Sequence, residues 1–541
     1  MCSALPAEHL DYDSRAPVRV DGHHLTLDDV AAVARGAPVA LPDDASARKA
    51  IEASRKLKLD LIERGVPLYG ITTGFGDSVH RQISPAKADE LQAFLVRGLG
   101  AGTGEATPEA AARAIVLIRA NSLVRGHSGV RMELVQGLLD LLNAGITPVI
   151  PQEGSVGASG DLVPLSYVAA VLSGDRDVYY KGQIRPAAHA LRDAGLEPLT
   201  LESKEGLGLV NGTAFMTGVG ALAAFDAKRI AFVADVCTAM ATEVLLGITG
   251  AFQPFIHDTA KPHPGSVRSA ANIRAFVAGS KLARDYEQVV RDVGTIDGDF
   301  RELPVQIQDK YSLRCAPHFV GVLWDTLEWA ERWLDIEINS TNDNPLFDVD
   351  TGRVFSGGNF AGGHVALAMD SLKTAVASVA DLMDRQLELI VDEKFNHGLT
   401  PNLIPSLEAG DPREGLNHGF KGMQLACSSL TADALSRCMP MTAFSRSTEC
   451  HNQDKVSMGA TAARHARDVV ALTEKVAAIH LLALCQAADL RGADKLGATR
   501  TVYERVRDVV PFLDSDRPMA DDIMAVVGMI HDGSLTADLV A

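Results

Sequence analysis

In the stretch Gly154-Ser155-Val156-Gly157-Ala158-Ser159-Gly160-Asp161-Leu162-Val163-Pro164-Leu165, three neighbours have the types needed for a reaction of the backbone itself. If the chain bends until the Gly160 nitrogen reaches the Ala158 carbonyl carbon, a five-membered ring closes. Loss of water from that adduct, and again from the Ser159 side chain, leaves an imidazolone with an exocyclic methylidene. That product is an electrophile no ordinary side chain supplies. Glycine offers an amide nitrogen with no Cβ beside it and tolerates strained backbone. Serine carries the β-oxygen that leaves, and alanine is small enough for the bend. The bare tripeptide also reads as the start of a helix capped by Ser159 or Asp161.

Other segments hold chemistry-bearing side chains in loops. Tyr69-Gly70-Ile71-Thr72-Thr73-Gly74-Phe75-Gly76 is glycine-rich and mobile, but lacks the Lys-Ser/Thr ending of a phosphate cradle. By itself it is a surface turn anchored by Tyr69. Asn211 precedes a long apolar run and reads as a helix N-cap. In Gln308-Asp309-Lys310-Tyr311-Ser312-Leu313-Arg314-Cys315, Arg314 has the planar fork suited to a bidentate grip on a carboxylate, although a loop arginine is commonly a solvated charge. Asn339-Ser340-Thr341-Asn342-Asp343-Asn344-Pro345-Leu346 reads as a polar turn after the helix bearing Trp329 and Trp333.

Taken whole, the stretch at 154–165 resembles the cofactor-forming signature of the histidine, phenylalanine and tyrosine ammonia-lyases and the related aminomutases. The similarity extends from roughly residue 18 to 530. It implies a 4-methylidene-imidazol-5-one formed from Ala158, Ser159 and Gly160, with no metal and no nucleotide. It further implies Tyr69 as catalytic base, Asn211 beside the cofactor ring, and Arg314 as carboxylate anchor with Gln308 and the catalytic Tyr311 in the same pocket. Asn344 helps hold the carboxylate, and Phe360, in Ser356-Gly357-Gly358-Asn359-Phe360, lies against the cofactor. Glu449 and Gln453, around His451-Asn452-Gln453-Asp454, resemble the amine-side residues of phenylalanine ammonia-lyases; Lys421, in Gly419-Phe420-Lys421-Gly422, also resembles those enzymes and is implied to bind substrate.

The implied reaction removes ammonia from an aromatic L-amino acid to give an arylacrylate. Attack of the amine on the methylidene makes it a better leaving group, a form of covalent catalysis. Tyr69 must then take a weakly acidic β-proton, which a phenol does only where donors and positive charge favour the phenolate. A closing loop could supply the dry site. For ring selection, the pair Gly98-Leu99 stands where phenylalanine enzymes resemble Phe-Leu, tyrosine enzymes His-Leu and histidine enzymes Ser-His. Leu99 and Gln453 speak for an aromatic ring over imidazole, and Gly98 reads either as a flexible helix end or as an enlarged ring pocket. Phenylalanine-, tyrosine- and dopa-like substrates, including ring-substituted ones, all fit. His318, Ala361 and His364 depart from the family pattern. A 2,3-aminomutase returning the amine to the β-carbon is the alternative, decided by how long loop residues 77–83 retain the intermediate; histidine ammonia-lyase is a further one.

Elements able to position these residues are nearly all helical. Periodicity predicts helices over 46–64, 84–97, 109–124, 129–143 and 161–172, and longer ones over 212–251, 320–339, 362–388, 420–435 and 455–488. Residues 18–33 read as a small hairpin leading into a helix capped near Thr26, and 177–180 with 183–185 as a hairpin about Lys181-Gly182. The first ~18 residues read as a loose polar arm. The fold expected is mainly α, of ammonia-lyase (aspartase/fumarase-like) architecture: a cofactor-bearing region over 1–210, then a long-helix bundle and C-terminal helices over 211–541. The resemblance implies a homotetramer with shared active sites.

The 541 residues carry 51 basic and 69 acidic side chains, a net −18 that disfavours nucleic acid and anionic membrane as partners. Seven scattered cysteines without a CxxC pair read as reduced thiols. With no basic-then-apolar leader, the expectation is a cytoplasmic protein.

Overall fold

A computed structural model describes residues 16–43, 45–303 and 305–539; most of the expected N-terminal arm lies outside them. The chain is mainly helical, as its periodicity predicts. It forms two compact units. One comprises residues up to Phe225, Ala330–Asp370 and Pro440–Arg467; the other comprises Asp226–Trp329, Ser371–Met439 and the chain from Asp468.

In the first unit, helix Leu27–Ala34 begins at a capping box. Thr26 accepts from the Asp29 amide, while the Asp29 carboxylate accepts from the Thr26 amide. This helix packs on Glu109–Val124, which is buried from Ala111 to its end and packs in turn on Met132–Asn143. An all-round buried helix needs no solvated face; its buried polar side chains, such as Arg113 and Asn121, bond to backbone carbonyls. Leu61, Leu68, Ile71 and Phe347 close a further core cluster at the foot of the Tyr69 loop. Leu162–Leu172, which follows the Ala-Ser-Gly segment, packs on the short helix Glu205–Val210 that ends at Asn211.

Strands are short. Val18–Arg19 pairs in parallel with Val39–Ala40, so the expected hairpin at 18–33 is corrected. The Asp21 carboxylate accepts from the His23 and His24 amides and turns the chain straight into Leu27–Ala34. A helix between two strands returns the second one parallel. Asp177–Tyr180 and Gln183–Pro186 do form the expected hairpin. Lys181 (φ +52°) and Gly182 (φ +73°) make its two-residue turn, with the positive φ values that match strand twist.

In the second unit, helix Ala214–Val244, which starts in the first, stops short of its expected end at 251. Leu246 turns left-handed (φ +51°), and the Asp309 carboxylate takes the Ile248 amide at 2.7 Å. No helix among the described residues is long and apolar enough to cross a membrane.

Candidate active site

Gly160 has φ +69°, and a Cβ added there would overlap the Gly212 carbonyl. Only glycine fits at that point of the tripeptide. The Asp161 amide donates to the Gly212 carbonyl at 2.8 Å, tying the tripeptide to the segment that follows Asn211. From that segment the Asn211 Nδ2 donates to the Ser159 carbonyl at 2.7 Å. From another, the Gln453 Nε2 donates to the Ser159 Oγ at 3.2 Å. Ser457 Oγ holds the Gly157 carbonyl at 2.9 Å and the Met458 amide holds that of Val156 at 3.0 Å. The reactive residue is thus gripped at its carbonyl and its hydroxyl while its neighbours are fixed. Residues so arranged fit the ring-forming chemistry: left-handed glycine, small alanine and a serine hydroxyl directed by an amide donor.

Asn211 does not cap the long helix; it closes Glu205–Val210 and turns its side chain to Ser159. Its own carbonyl accepts from Arg119 Nη1 at 2.7 Å, and Arg119 Nη2 donates to Ser122 Oγ at 2.6 Å. Arg119 is fully buried on the apolar helix, with the Asp343 carboxylate as counter-charge. Asp343 also pairs with buried Lys204 and accepts from Ser128. These contacts fix the turn carrying Asn344, whose Oδ1 accepts from the Gly357 amide at 2.8 Å at the base of the loop leading to half-buried Phe360. Asp161 is buried beneath the tripeptide, accepting from Ser155 Oγ at 2.7 Å and the Met216 amide at 2.8 Å. Burial outweighs these donors and raises its carboxyl to about 7.

Tyr69 lies half-buried, its hydroxyl accepting from the Gly76 amide at 2.9 Å. Burial raises the phenol above its ordinary value; the Gly76 donor opposes this and the charge of Glu449 adds to it. The donor expected beside the base is present, but the neighbouring charge is negative. Burial and this charge both favour the protonated phenol.

The second unit carries Gln308 and Tyr311, both exposed, and Arg314. The Arg314 Nε donates to the Asp309 carbonyl at 3.0 Å, and the guanidinium lies 4.6 Å from the Tyr311 ring centroid. Stacking and one backbone bond orient the fork and leave its other donors for a carboxylate. Lys421 is exposed at the first position of Lys421–Ser436. His318 packs on the buried His257, ring centroids 5.0 Å apart, and burial lowers both imidazoles. In the first unit, exposed Gly98 ends helix Ala88–Gly98, and a Cβ added there meets no atom within 4 Å. Leu99 is half-buried, Ala361 exposed, and exposed His364 sits edge-on to Trp333 at 4.9 Å.

Residues 25–508 match the family of aromatic amino acid lyases. The chain belongs to that family. It is 41% identical to a tyrosine ammonia-lyase of Cupriavidus metallidurans, over 96% of this chain and 97% of that one. With a histidine ammonia-lyase of a Geobacillus species it shares 39%, over 94% and 95%. With an MIO-dependent tyrosine 2,3-aminomutase of Streptomyces globisporus it shares 40%, over 96% and 95%. A crystal structure of tyrosine aminomutase from that organism matches with a TM-score of 0.89 at 40% identity, covering 96% of this chain and 98% of that one. The enzyme is therefore a carbon–nitrogen lyase family member with the ammonia-lyase and aminomutase fold, and the family depends on the methylidene-imidazolone.

Arg119 has no role legible from its sequence position, and Asp161, which reads only as a helix cap, makes no capping bond with its side chain. Two arginines, Arg113 and Arg119, within the mostly apolar run 110–124 are the available sign for the first, since a buried cation requires partners. Asp161 stood inside the signature, but its burial is a property of packing.

Proposed function

We propose that the enzyme is an ammonia-lyase that converts an aromatic L-amino acid, phenylalanine-, tyrosine- or dopa-like and including ring-substituted forms, to the arylacrylate. It works as a homotetramer, through a methylidene-imidazolone formed from Ala158, Ser159 and Gly160. The observation that carries this reading is the grip on Ser159, with Asn211 on its carbonyl and Gln453 on its hydroxyl. Once formed, that group supplies an electrophile for the substrate amine. Asn211 holds the Ser159 carbonyl oxygen where a donor stabilises developing negative charge. Tyr69 takes the β-proton. Because burial and Glu449 keep its phenol protonated at rest, a cation must face it first, and the substrate's ammonium group brings one. Arg314 grips the substrate carboxylate, with Asn344 helping to hold it; Gln308, Tyr311 and Lys421 line the same site, and Phe360 packs against the reacting centre.

Leu99 beside the open position at Gly98 favours an aromatic ring with room for substituents, and Gln453 in place of a glutamate opposes histidine. The aminomutase is the second reading, favoured by the 40% identity to a tyrosine aminomutase over nearly the whole of both chains. Purified protein incubated with L-phenylalanine, L-tyrosine, L-dopa, methoxylated analogues and L-histidine decides between them. Arylacrylate with equal ammonia is the expected outcome. Accumulating β-amino acid with little ammonia establishes the mutase, and turnover of histidine alone overturns the reading of Leu99 and Gln453.

A further inference from the structure

The sequence resemblance sets Glu449 beside the substrate amine, yet in this structure both of its carboxylate oxygens are engaged by the protein. Oε1 accepts from the Asp77 amide at 3.1 Å, and Oε2 accepts from Asn452 Nδ2 at 2.7 Å. Asp77 is the residue after Gly76, whose amide holds the Tyr69 hydroxyl. The first two amides of the one-turn helix Gly76–His80 are therefore taken by two side chains, the base and Glu449. These are the donors a helix start leaves without backbone partners. The fit is close, because a Cβ added at Gly76 would overlap the Glu449 carboxylate.

Glu449 itself is held under strain. Glu449, Cys450 and His451 have φ of +51°, +52° and +65°, three successive non-glycine residues in the left-handed region. Each costs free energy and persists only where its surroundings enforce it. Here the enforcement is local. Thr448 and Gln453 exchange backbone hydrogen bonds at 3.0 and 3.3 Å across the turn, and Ser447 Oγ meets His451 Nδ1 at 2.8 Å. The same turn ends in Gln453, which reaches Ser159 Oγ. One strained turn thus touches both the tyrosine loop and the ring-forming serine.

We propose that Glu449 is a positioning residue for Tyr69: its carboxylate latches the loop at the Asp77 amide, next to the Gly76 amide that holds the phenol, so the base is fixed before substrate arrives. This rests on the lyase or mutase reading for the role of Tyr69, but the latch itself is made of contacts within the chain.

The test is hydrogen exchange over residues 70–83 in the full-length, substrate-free protein, with steady-state kinetics alongside. Wild type should protect the Asp77 amide. Glu449→Gln keeps an acceptor and should retain the protection, whereas Glu449→Ala should exchange about tenfold faster or more. Gly76→Ala, by displacing the carboxylate, should match Glu449→Ala, and the double variant should be no worse than Gly76→Ala alone. With substrate, kcat should fall in Glu449→Ala at little-changed KM and recover towards wild type in Glu449→Gln. Unchanged exchange in all variants, with KM raised equally by Ala and Gln, would overturn the latch and return Glu449 to the amine. Intact mass, read on the same samples, reports whether two waters have left the chain. Failure of the cofactor reading is thus distinguished from failure of the latch.

Discussion

Asp161 sits one residue beyond the tripeptide, fully buried, with Glu337 pushing its carboxyl the same way as burial does. A carboxyl raised from 3.8 to about 7 binds its proton more tightly in the folded chain than in the unfolded one. Its stabilising contribution is complete below the ordinary value and is lost as pH rises through the folded one. Measured against Asp161→Asn by denaturant midpoint, wild-type stability should therefore decline between about pH 4 and 7 and level off above. A difference flat across that interval would show that the donors from Ser155 and Met216 win over burial. At Ser159, replacement by alanine removes the oxygen that leaves. The expected chain shows the undehydrated mass of its own sequence by mass spectrometry, keeps its helical spectrum, and loses turnover by about a thousandfold or more. At Gly98 an added Cβ meets no atom within 4 Å, which allows a clean test: Gly98→Phe should fold normally. Selectivity should move towards unsubstituted phenylalanine by about tenfold, since a filled ring pocket discriminates on that scale. An unchanged ratio would place Gly98 away from the ring.

Among the elements, the helices declared themselves wherever amphipathic or apolar runs had clear ends. Glu109–Val124 spans the residues expected from periodicity, and Leu27–Ala34 starts at the expected Thr26. The capping box there predicts that Thr26→Ala lowers stability by about 1 kcal/mol, with the loss concentrated in the first unit's exchange protection. What was illegible arose from contacts remote in sequence. The pairing of Val18–Arg19 with Val39–Ala40 depends on a helix between them, and the early end of Ala214–Val244 depends on an acceptor from Asp309. The site divides in the same way. Ala158, Ser159 and Gly160 are contiguous, so their chemistry was readable from residue types alone. The hydrogen bond between Gln453 and Ser159 spans 294 residues, and only the resemblance could bring those two together beforehand. Arg119, acting through the Asn211 carbonyl, is a contact that no spacing rule encodes.

At the scale of the whole molecule, large apolar side chains stand exposed on long helices: Phe319 and Val322 on Pro317–Ile338, and Leu425, 71% exposed, on Lys421–Ser436. Phe319 and Val322, three residues apart, share one helix face, and apolar side chains grouped in that way mark surfaces that meet another chain. They support the proposed homotetramer, for which sedimentation of the purified protein should give four times the 57.4 kDa chain mass. Shared active sites have a sharper consequence. If Ser159 and Arg314 of one site come from different subunits, Ser159→Ala and Arg314→Ala chains are each inactive alone. Co-assembled in equal amounts, they should rebuild intact sites, because one chain supplies the serine and the other the arginine. Random mixing in a symmetric assembly makes about one site in four wild type, so activity should return to about a quarter of normal. Co-expression with two affinity tags, isolating only mixed assemblies, gives the measurement. Were both residues of each site drawn from the same chain, no mixture would contain an intact site, and the mixed assemblies would stay as inactive as their parents.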